Sequence, residues 1–376
     1  MLADERLFIG AMTGTSADGI DAALVAIDGR GAMVRARLIG HVGRPLSRDL
    51  RHVILTARNQ GHVTLPELAG LTRDLTMVYA DAISALLAAS AVAARDITAI
   101  GAHGQTLYHD PPLTIQCLDP SLLAARVDAV VISDFRRADC AAGGQGAPLV
   151  PWADWVVFRH ATLSRAIVNI GGIANITYLP AGGDIHAIAA FDTGPGNCIS
   201  DDLVSRSNPA GPGYDQGGQR ALRGRVSIPL AQQILRHTWF ARRPPKSTDG
   251  PAMIRIFRDA VDQSPATISD DELLATAAFV TGRSITSALR DFAGPVDQLI
   301  VAGGGVANAA VMQAIAESAD NATVLSSDSL GVPTQAREAM AFAILAAATI
   351  DGIPANVPAA TGAQRGVICG SITPRL

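Results

Sequence analysis

Only four cysteines occur in the 376 residues, and none stands in a C-x-x-C pair. Cys117, Cys140, Cys198 and Cys369 are too scattered for a zinc ribbon or a dithiol redox centre, and they read as buried thiols of a protein kept in a reducing cytoplasm. Long apolar runs are also missing. "ISALLAASAVAA" and "AMAFAILAAATI" fall short of the roughly 20 residues that span a bilayer, so both are expected to form buried helices. The opening "MLADERLFIG" carries charges where a secretory signal has an apolar core. No charge of one sign dominates: 30 basic and 34 acidic residues are interspersed for a net charge of −4. That balance gives no nucleic-acid groove or membrane-binding face, and it points to a small-molecule partner.

Three nucleotide-binding signatures are absent as well. A Walker loop needs Gly-Lys-Ser/Thr, and no Gly-Lys dipeptide occurs. There is no His-Arg-Asp of a protein kinase. No G-x-G-x-x-G follows a strand and opens a helix, which removes the dinucleotide fingerprint. Low-complexity tracts and repeats of solenoid period are lacking too.

What is present is a recurring pattern. "FIGAMTGTSADGIDAALVAID" is an apolar run, a glycine-marked bend and a second apolar run. "RAIVNIGGIANITYLP" repeats the arrangement from residue 165, with β-branched residues on both sides. "ITAIGAHGQT", "DAVVISDF" and "AIAAFDTGPGN" read as further strands, and "VDQLIVAGGGVANAAVMQAIAES" as strand, glycine turn and helix. The stretch from Ser47 to Val92 has helical spacing and predicts two or three helices, one starting near Pro66. "DELLATAAFVTGRSITSALRDFA" is an amphipathic helix. The length exceeds what one core usually serves, and strands alternate with helices in both halves. The expectation is an α/β protein of two related lobes.

The bends suggest what the lobes hold. Glycine lets a backbone approach a phosphate closely, and free N–H groups with hydroxyls suit an anion. Gly14, Thr15 and Ser16 fit that task, and Asp18 and Asp21 are hard oxygen ligands that could hold a divalent cation. A plain hairpin turn explains the same residues. Gly171-Gly172, Gly194-Pro195-Gly196 and Gly303-Gly304-Gly305 also follow predicted strands, where α/β proteins bind ligands. Four such turns suggest a nucleotide cradle, an arrangement that resembles the actin, hexokinase and heat-shock ATPase superfold. Asp192, ending an apolar strand before a turn, suits the acid–base role of a phosphotransferase, with an Asp capping its own turn as the alternative. Arg136 and Arg137 could bind a carboxylate or merely face solvent. His103 and His109 read better as hydrogen-bonding residues than as catalysts. Lys246 has a weaker claim as a single ammonium after two prolines.

In order along the chain, "MTGTSADGIDAALV", "AHGQT", "VVISDFRRADCAAGGQGAPLVP", "NIGGIANITYL", "FDTGPGN", "YDQGGQRALRG", "PPKST", "VAGGGVAN", "REAMAFAILA" and "PAATGAQRGVICGSITP" resemble the blocks of the anhydro-N-acetylmuramic acid kinase family, from about residue 8 to 374. The resemblance implies a two-lobed actin/hexokinase-like fold with a ligand cleft between the lobes. One lobe would comprise residues 1–133 with about 353–376, the other residues 134–352. It implies a dimer that uses ATP and Mg2+ to phosphorylate O6 of 1,6-anhydro-N-acetylmuramic acid while water opens the bridge at C1, within peptidoglycan recycling. Gly14, Thr15, Ser16, Ala17, Asp18, Gly19, Ile20 and Asp21 would form the ATP phosphate loop. Gly171, Gly172 and Asn175 would join the ATP side, and Gly303, Gly304 and Asn308 its adenosine end. Asp192 would be the base that activates water. Arg136 would meet the sugar's lactyl carboxylate, Gln145, Gly146, Ala147 and Pro148 would line the same pocket, and Glu338 would help position the sugar. Two departures stand out: Thr13 replaces the family's more usual serine, and Asp249-Gly250-Pro251 replaces its Gly-Arg-Glu. A kinase of another 1,6-anhydro sugar such as levoglucosan shares most blocks, and a nucleotide-sensing ATPase of the same superfold would share the glycine loops.

Overall fold

The computed structural model describes residues 5–14 and 16–376; Thr15, expected in the phosphate loop, lies outside the described residues. The chain divides into two compact units, one running up to Val157 and resuming with Ala336–Leu376, the other Phe158–Gln335.

The first unit opens with the expected hairpin, β1 (Arg6–Met12) and β2 (Gly19–Asp28), and adds β3 (Arg35–Pro45). Two helices follow, α1 (Arg48–Gln60) and α2 (Leu65–Ser90). A capping box starts α2: Thr64 accepts from the Glu67 amide, Glu67 accepts from the Thr64 amide, and Pro66 fills the first turn where its missing N–H is harmless. Then come β4 (Ile97–His103), a separate hairpin of β5 (Gln105–Asp110) and β6 (Leu113–Cys117), α3 (Pro120–Val127), β7 (Val131–Ser133), α4 (Arg137–Ala141) and α5 (Pro151–Phe158).

The second unit repeats the scheme. Antiparallel β8 (Arg165–Ile170), β9 (Ile173–Leu179) and β10 (Ala189–Pro195) lead into α6 (Cys198–Ser207), α7 (Gln219–Arg223), α8 (Ile228–Leu235), α9 (Gly250–Asp262) and α10 (Asp270–Phe292). They are followed by β11 (Gln298–Ala302), α11 (Ala309–Ser318) and β12 (Thr323–Ser326). The chain then returns to the first unit with α12 (Arg337–Ile350), α13 (Pro358–Thr361) and β13 (Ser371–Thr373).

Strand order exposes the duplication. The first sheet runs β3-β2-β1-β4-β7, with β13 beyond, and the second runs β10-β9-β8-β11-β12. In each, three antiparallel strands are joined by strands parallel to the first. This is the α/β architecture that the two strand–bend–strand stretches predict.

The unit boundaries differ from those expected at 134 and 352. Residues 336–352 belong with the first sheet because α12 lies directly on β1 and β4, and residues 134–157 fall in the same unit. A Cβ on Gly10 would stand 1.8 Å from the Ala339 carbonyl oxygen, and one on Gly101 would stand 2.2 Å from that of Phe342. Only glycine permits so close a backbone approach. The matching helix face is built of alanines, and every residue from Ala339 to Thr349 is buried.

Candidate active site

At the first bend, β1 is followed by Thr13, whose buried hydroxyl donates to Gln105 Oε1 at 3.4 Å. The Ala17 amide closes the turn on the Gly14 carbonyl at 3.1 Å, with Ala17 at φ 52°. Ala17 and Ile20 are fully buried, so these two offer a ligand only their backbone. Gly14 is open: a Cβ there would meet nothing nearer than Ser16 Oγ at 3.8 Å. Gly19 has a structural reason, because its Cβ would stand 2.7 Å from the Arg44 carbonyl oxygen across the β2–β3 ladder. The two acids are held by different partners. Asp18 accepts from Arg51 Nε at 3.2 Å, and Asp21 lies 3.0 Å from His41 Nε2.

A second cluster in the same unit gathers around Asp139, which is fully buried. Its carboxylate accepts from the Gly146 amide, from Asn356 Nδ2 and from Thr361 Oγ1, each at 2.7 Å. The Gln145 amide donates to the Thr361 carbonyl at 2.8 Å. Asp139 thereby moulds the 144–148 loop, a role that sequence reasoning missed.

Arg136 donates from Nη1 to the Gly146 carbonyl at 2.7 Å and from Nη2 to His103 Nε2 at 3.1 Å. Because a guanidinium only donates, His103 Nε2 accepts and its ring proton sits on Nδ1. That Nδ1 and Arg136 Nε are both buried without an acceptor among the described residues. Burial pulls Arg136 down to about 10, opposed by Cys140 and Glu338. Burial, then Arg136 and His109, hold His103 well below the ordinary imidazole range, while its ring stacks on Phe342 at 4.6 Å. Two orphaned donors in one buried cluster suit an acceptor-rich or anionic group. Gln145 is exposed, Ala147 and Pro148 are half-buried, and Glu338 is half-buried in the first turn of α12.

In the second unit, three polar residues form a row. Asn169 on β8 pairs directly with Asn175 on β9, which pairs directly with Asp192 on β10. Directly opposed residues share a face, so three half-buried side chains stand together at this end of the sheet. The Thr248 amide donates to Asp192 Oδ2 at 2.8 Å, and no donor among the described residues engages Oδ1. Burial pushes the Asp192 carboxyl up to about 6, partly offset by the Thr248 N–H and by Lys246. Asp201, in the first turn of α6, is raised to about 6 by burial alone. The β8–β9 turn holds the turn after Asp192: the Asn197 amide donates to the Gly171 carbonyl, and the Gly196 and Cys198 amides donate to that of Gly172.

The glycine turn after β11 lies against β8, since a Cβ on Gly303 (φ 83°) would stand 2.7 Å from the Ile170 carbonyl oxygen and 2.8 Å from Asn169 Oδ1. Gly304 has open space. Asn308 caps α11 by accepting from the Ala310 and Val311 amides at 3.1 and 3.2 Å. Gly218 approaches Asn308 so closely that a Cβ would stand 2.2 Å from its Oδ1. The "YDQGG" block is thus folded against "VAGGGVAN". Asp249, where the sequence departs from the family, caps α9 by accepting from the Ala252 amide at 2.8 Å, with Pro251 in the first turn.

The sequence profile of anhydro-N-acetylmuramic acid kinases matches residues 6–375. The chain belongs to that family. The anhydro-N-acetylmuramic acid kinase of Caldanaerobacter subterraneus subsp. tengcongensis is 36% identical over 385 residues, covering 98% of this chain and 97% of the relative. That of Gloeobacter violaceus is 37% identical, covering 99% of each. A solved structure, the activator of the 2-hydroxyisocaproyl-CoA dehydratase from Clostridium difficile with bound ADPNP, covers 91% of this chain and 94% of its own at 10% identity and a TM-score of 0.47. As a member of the kinase family the chain is an enzyme that uses ATP and a small-molecule substrate. No helix among the described residues is long and apolar enough to cross a membrane.

Proposed function

We propose that this protein uses ATP to convert 1,6-anhydro-N-acetylmuramic acid and water to N-acetylmuramic acid 6-phosphate and ADP, in the recycling of peptidoglycan. The observation that carries the reading is the match to this kinase family over residues 6–375.

Asp192 takes a proton from water as the water oxygen bonds to C1. The C1–O6 bond breaks, O6 bonds to the γ-phosphorus, and the bond to the β,γ-bridging oxygen breaks to release ADP. A base with one open carboxylate oxygen and a pKa near 6 suits this step at neutral pH. Arg136 is assigned to the lactyl carboxylate, supported by its unpaired Nε and the neighbouring unpaired His103 Nδ1. Gln145, Gly146, Ala147, Pro148 and Glu338 are assigned to the sugar. Gly14 to Asp21, Gly171, Gly172 and Asn175 are assigned to the phosphates, and Gly303, Gly304 and Asn308 to the adenosine end.

Asp18 and Asp21 are hard oxygen donors that fit Mg2+. No cluster of three or more His, Cys, Asp or Glu that could hold a metal occurs among the described residues. Held by Asp18 and Asp21, a Mg2+ would offset phosphate charge. We assign the enzyme to the cytoplasm, where ATP is available, and to a homodimer, which light scattering tests.

The test is ADP release with Mg-ATP, comparing 1,6-anhydro-N-acetylmuramic acid, levoglucosan and N-acetylmuramic acid. The reading expects turnover with the first alone. Turnover with levoglucosan moves the substrate, and silence with all three while ATP binds favours a nucleotide sensor.

A further inference from the structure

Among its 30 basic residues the chain has a single lysine, Lys246; the other 29 are arginines. That one ammonium sits in an unusual place. It stands 4.7 Å from the ring centre of Trp239, 4.8 Å from that of Phe292 and 5.9 Å from that of Phe191, the residue preceding Asp192. It donates to the Phe240 carbonyl at 3.0 Å. The cage rings also pack on aromatic neighbours, Trp239 and Phe240 edge to face at 5.3 Å and Phe191 and Phe292 edge to face at 6.1 Å.

The peptide that carries this lysine grips Asp192 at two points. The Asp192 amide donates to the Lys246 carbonyl at 3.1 Å, and the Thr248 amide donates to Asp192 Oδ2 at 2.8 Å. The lysine forms no ion pair with the acid: among the described residues no Lys246–carboxylate contact falls within 4.0 Å. Cation–π attraction and the Phe240 carbonyl hold the ammonium back. An arginine would carry a planar fork suited to seizing a carboxylate at two points, whereas a compact ammonium fits among three rings.

We propose that Lys246 is a positioning residue for Asp192: its segment fixes the acid's backbone and one carboxylate oxygen, and its caged ammonium favours the ionised acid without capturing the oxygen that faces the reacting water. The role rests on the reading of Asp192 as the water-activating base. Burial brings Lys246 down to about 8, opposed by two carboxylates that favour the charged ammonium, Asp192 and Asp291 at the end of α10. The Thr248 N–H and Lys246 are the groups that favour the ionised form of Asp192.

A single lysine makes the coupling directly measurable. In protein labelled with 13C at lysine Cε, the lysine resonance belongs to Lys246 alone. Its midpoint is expected to fall by roughly half a unit or more in Asp192→Asn, on the scale of nearby charge effects. This readout needs no turnover, so it stands even if the substrate has been misread. An unchanged midpoint overturns the coupling. In turnover, Lys246→Met, which fills the cage without charge, is expected to move the acid limb of kcat/KM upward by about one pH unit. That shift costs roughly tenfold at pH 5.5 and little at pH 8, while Lys246→Arg restores the limb at reduced kcat. A uniform loss at every pH in Lys246→Met would leave the residue a structural one and overturn the proposal. No turnover of any anhydro sugar by the unaltered enzyme, with the lysine midpoint still moved by Asp192→Asn, would overturn the substrate reading and retain the pairing.

Discussion

Arg337 and Asp154 form a buried two-point ion pair, Nε to Oδ1 at 3.1 Å and Nη2 to Oδ2 at 2.5 Å, with both side chains at most 6% exposed. The pair ties the first turn of α12 to α5, and Glu338 is the next residue. Removing one side of such a pair takes away the charge that offsets its buried partner. Arg337→Met is therefore expected to lower stability by about 3–5 kcal/mol in urea unfolding. Adding Asp154→Leu removes the carboxylate that Arg337 served and is expected to restore part of that loss. A double variant no more stable than the single would show that the pair does not act as a unit.

Asp192→Asn is expected to reduce kcat by roughly 100-fold or more, the scale of losing a general base. ATP affinity, measured by calorimetry, is expected to stay near that of the unaltered enzyme. In the unaltered enzyme kcat/KM should fall tenfold per pH unit below about 6, as the raised acid protonates. Unchanged turnover in the variant removes Asp192 from the mechanism.

The same residue makes a stability argument with a definite sign. Its folded-state pKa of about 6 lies above the ordinary 3.8, so between those values the folded protein binds more protons than the unfolded one. Stability then falls as pH rises from about 4 to 6, and the deficit persists above. The amide side chain of Asp192→Asn carries no charge at any pH and still accepts the Thr248 N–H. The variant is expected to be more stable than the parent by about 1–3 kcal/mol at pH 7 and equal to it near pH 4. Chemical denaturation at the two pH values checks this, and a gain of equal size at both would assign it to packing instead.

Gly14 and Gly10 separate a glycine proposed to contact ATP from a packing glycine. Gly14 has open space beside it, whereas a Cβ on Gly10 would overlap the backbone of α12. Gly14→Val is expected to keep its melting temperature within about 2 °C and to lose ATP affinity. Gly10→Ala is expected to fail to fold at 37 °C. Unaltered ATP affinity in Gly14→Val would return the first bend to a plain hairpin turn.

The elements that bury one continuous apolar run were legible in the sequence: both strand–bend–strand hairpins, the helix opened by Pro66, and the strand–turn–helix at "VAGGGVAN". Less legible was β3, an edge strand whose "RARLIGHVGRP" mixes charged and apolar residues and has no fully buried position. The unit boundary was hidden because it depends on α12 lying on glycines 10 and 101, more than two hundred residues away. Asp192 could be singled out as the acid between an apolar run and a glycine turn, although it lies inside β10, which runs on to Pro195, and not at the strand's end as expected. Asp139 could not, since its partners Asn356 and Thr361 come from the far end of the chain. Asn169 had one signal, its position opposite Asn175 across a two-residue bend. Lys246 had another, its solitude among arginines, though only the fold shows the aromatic cage.

Arg136 offers a test of substrate class that survives any general damage to the loop. Its Nη1 supports the Gly146 carbonyl, so Arg136→Met will also disturb residues 144–148. That disturbance affects every sugar that binds there. A lost partner for the lactyl carboxylate affects only sugars that carry one. The selectivity for 1,6-anhydro-N-acetylmuramic acid over its analogue without the lactyl group, taken as the ratio of kcat/KM values, is therefore expected to fall roughly 10- to 100-fold, the worth of a charged hydrogen bond. An equal loss on both sugars would make Arg136 a support for Gly146 alone, and would move carboxylate recognition to another residue.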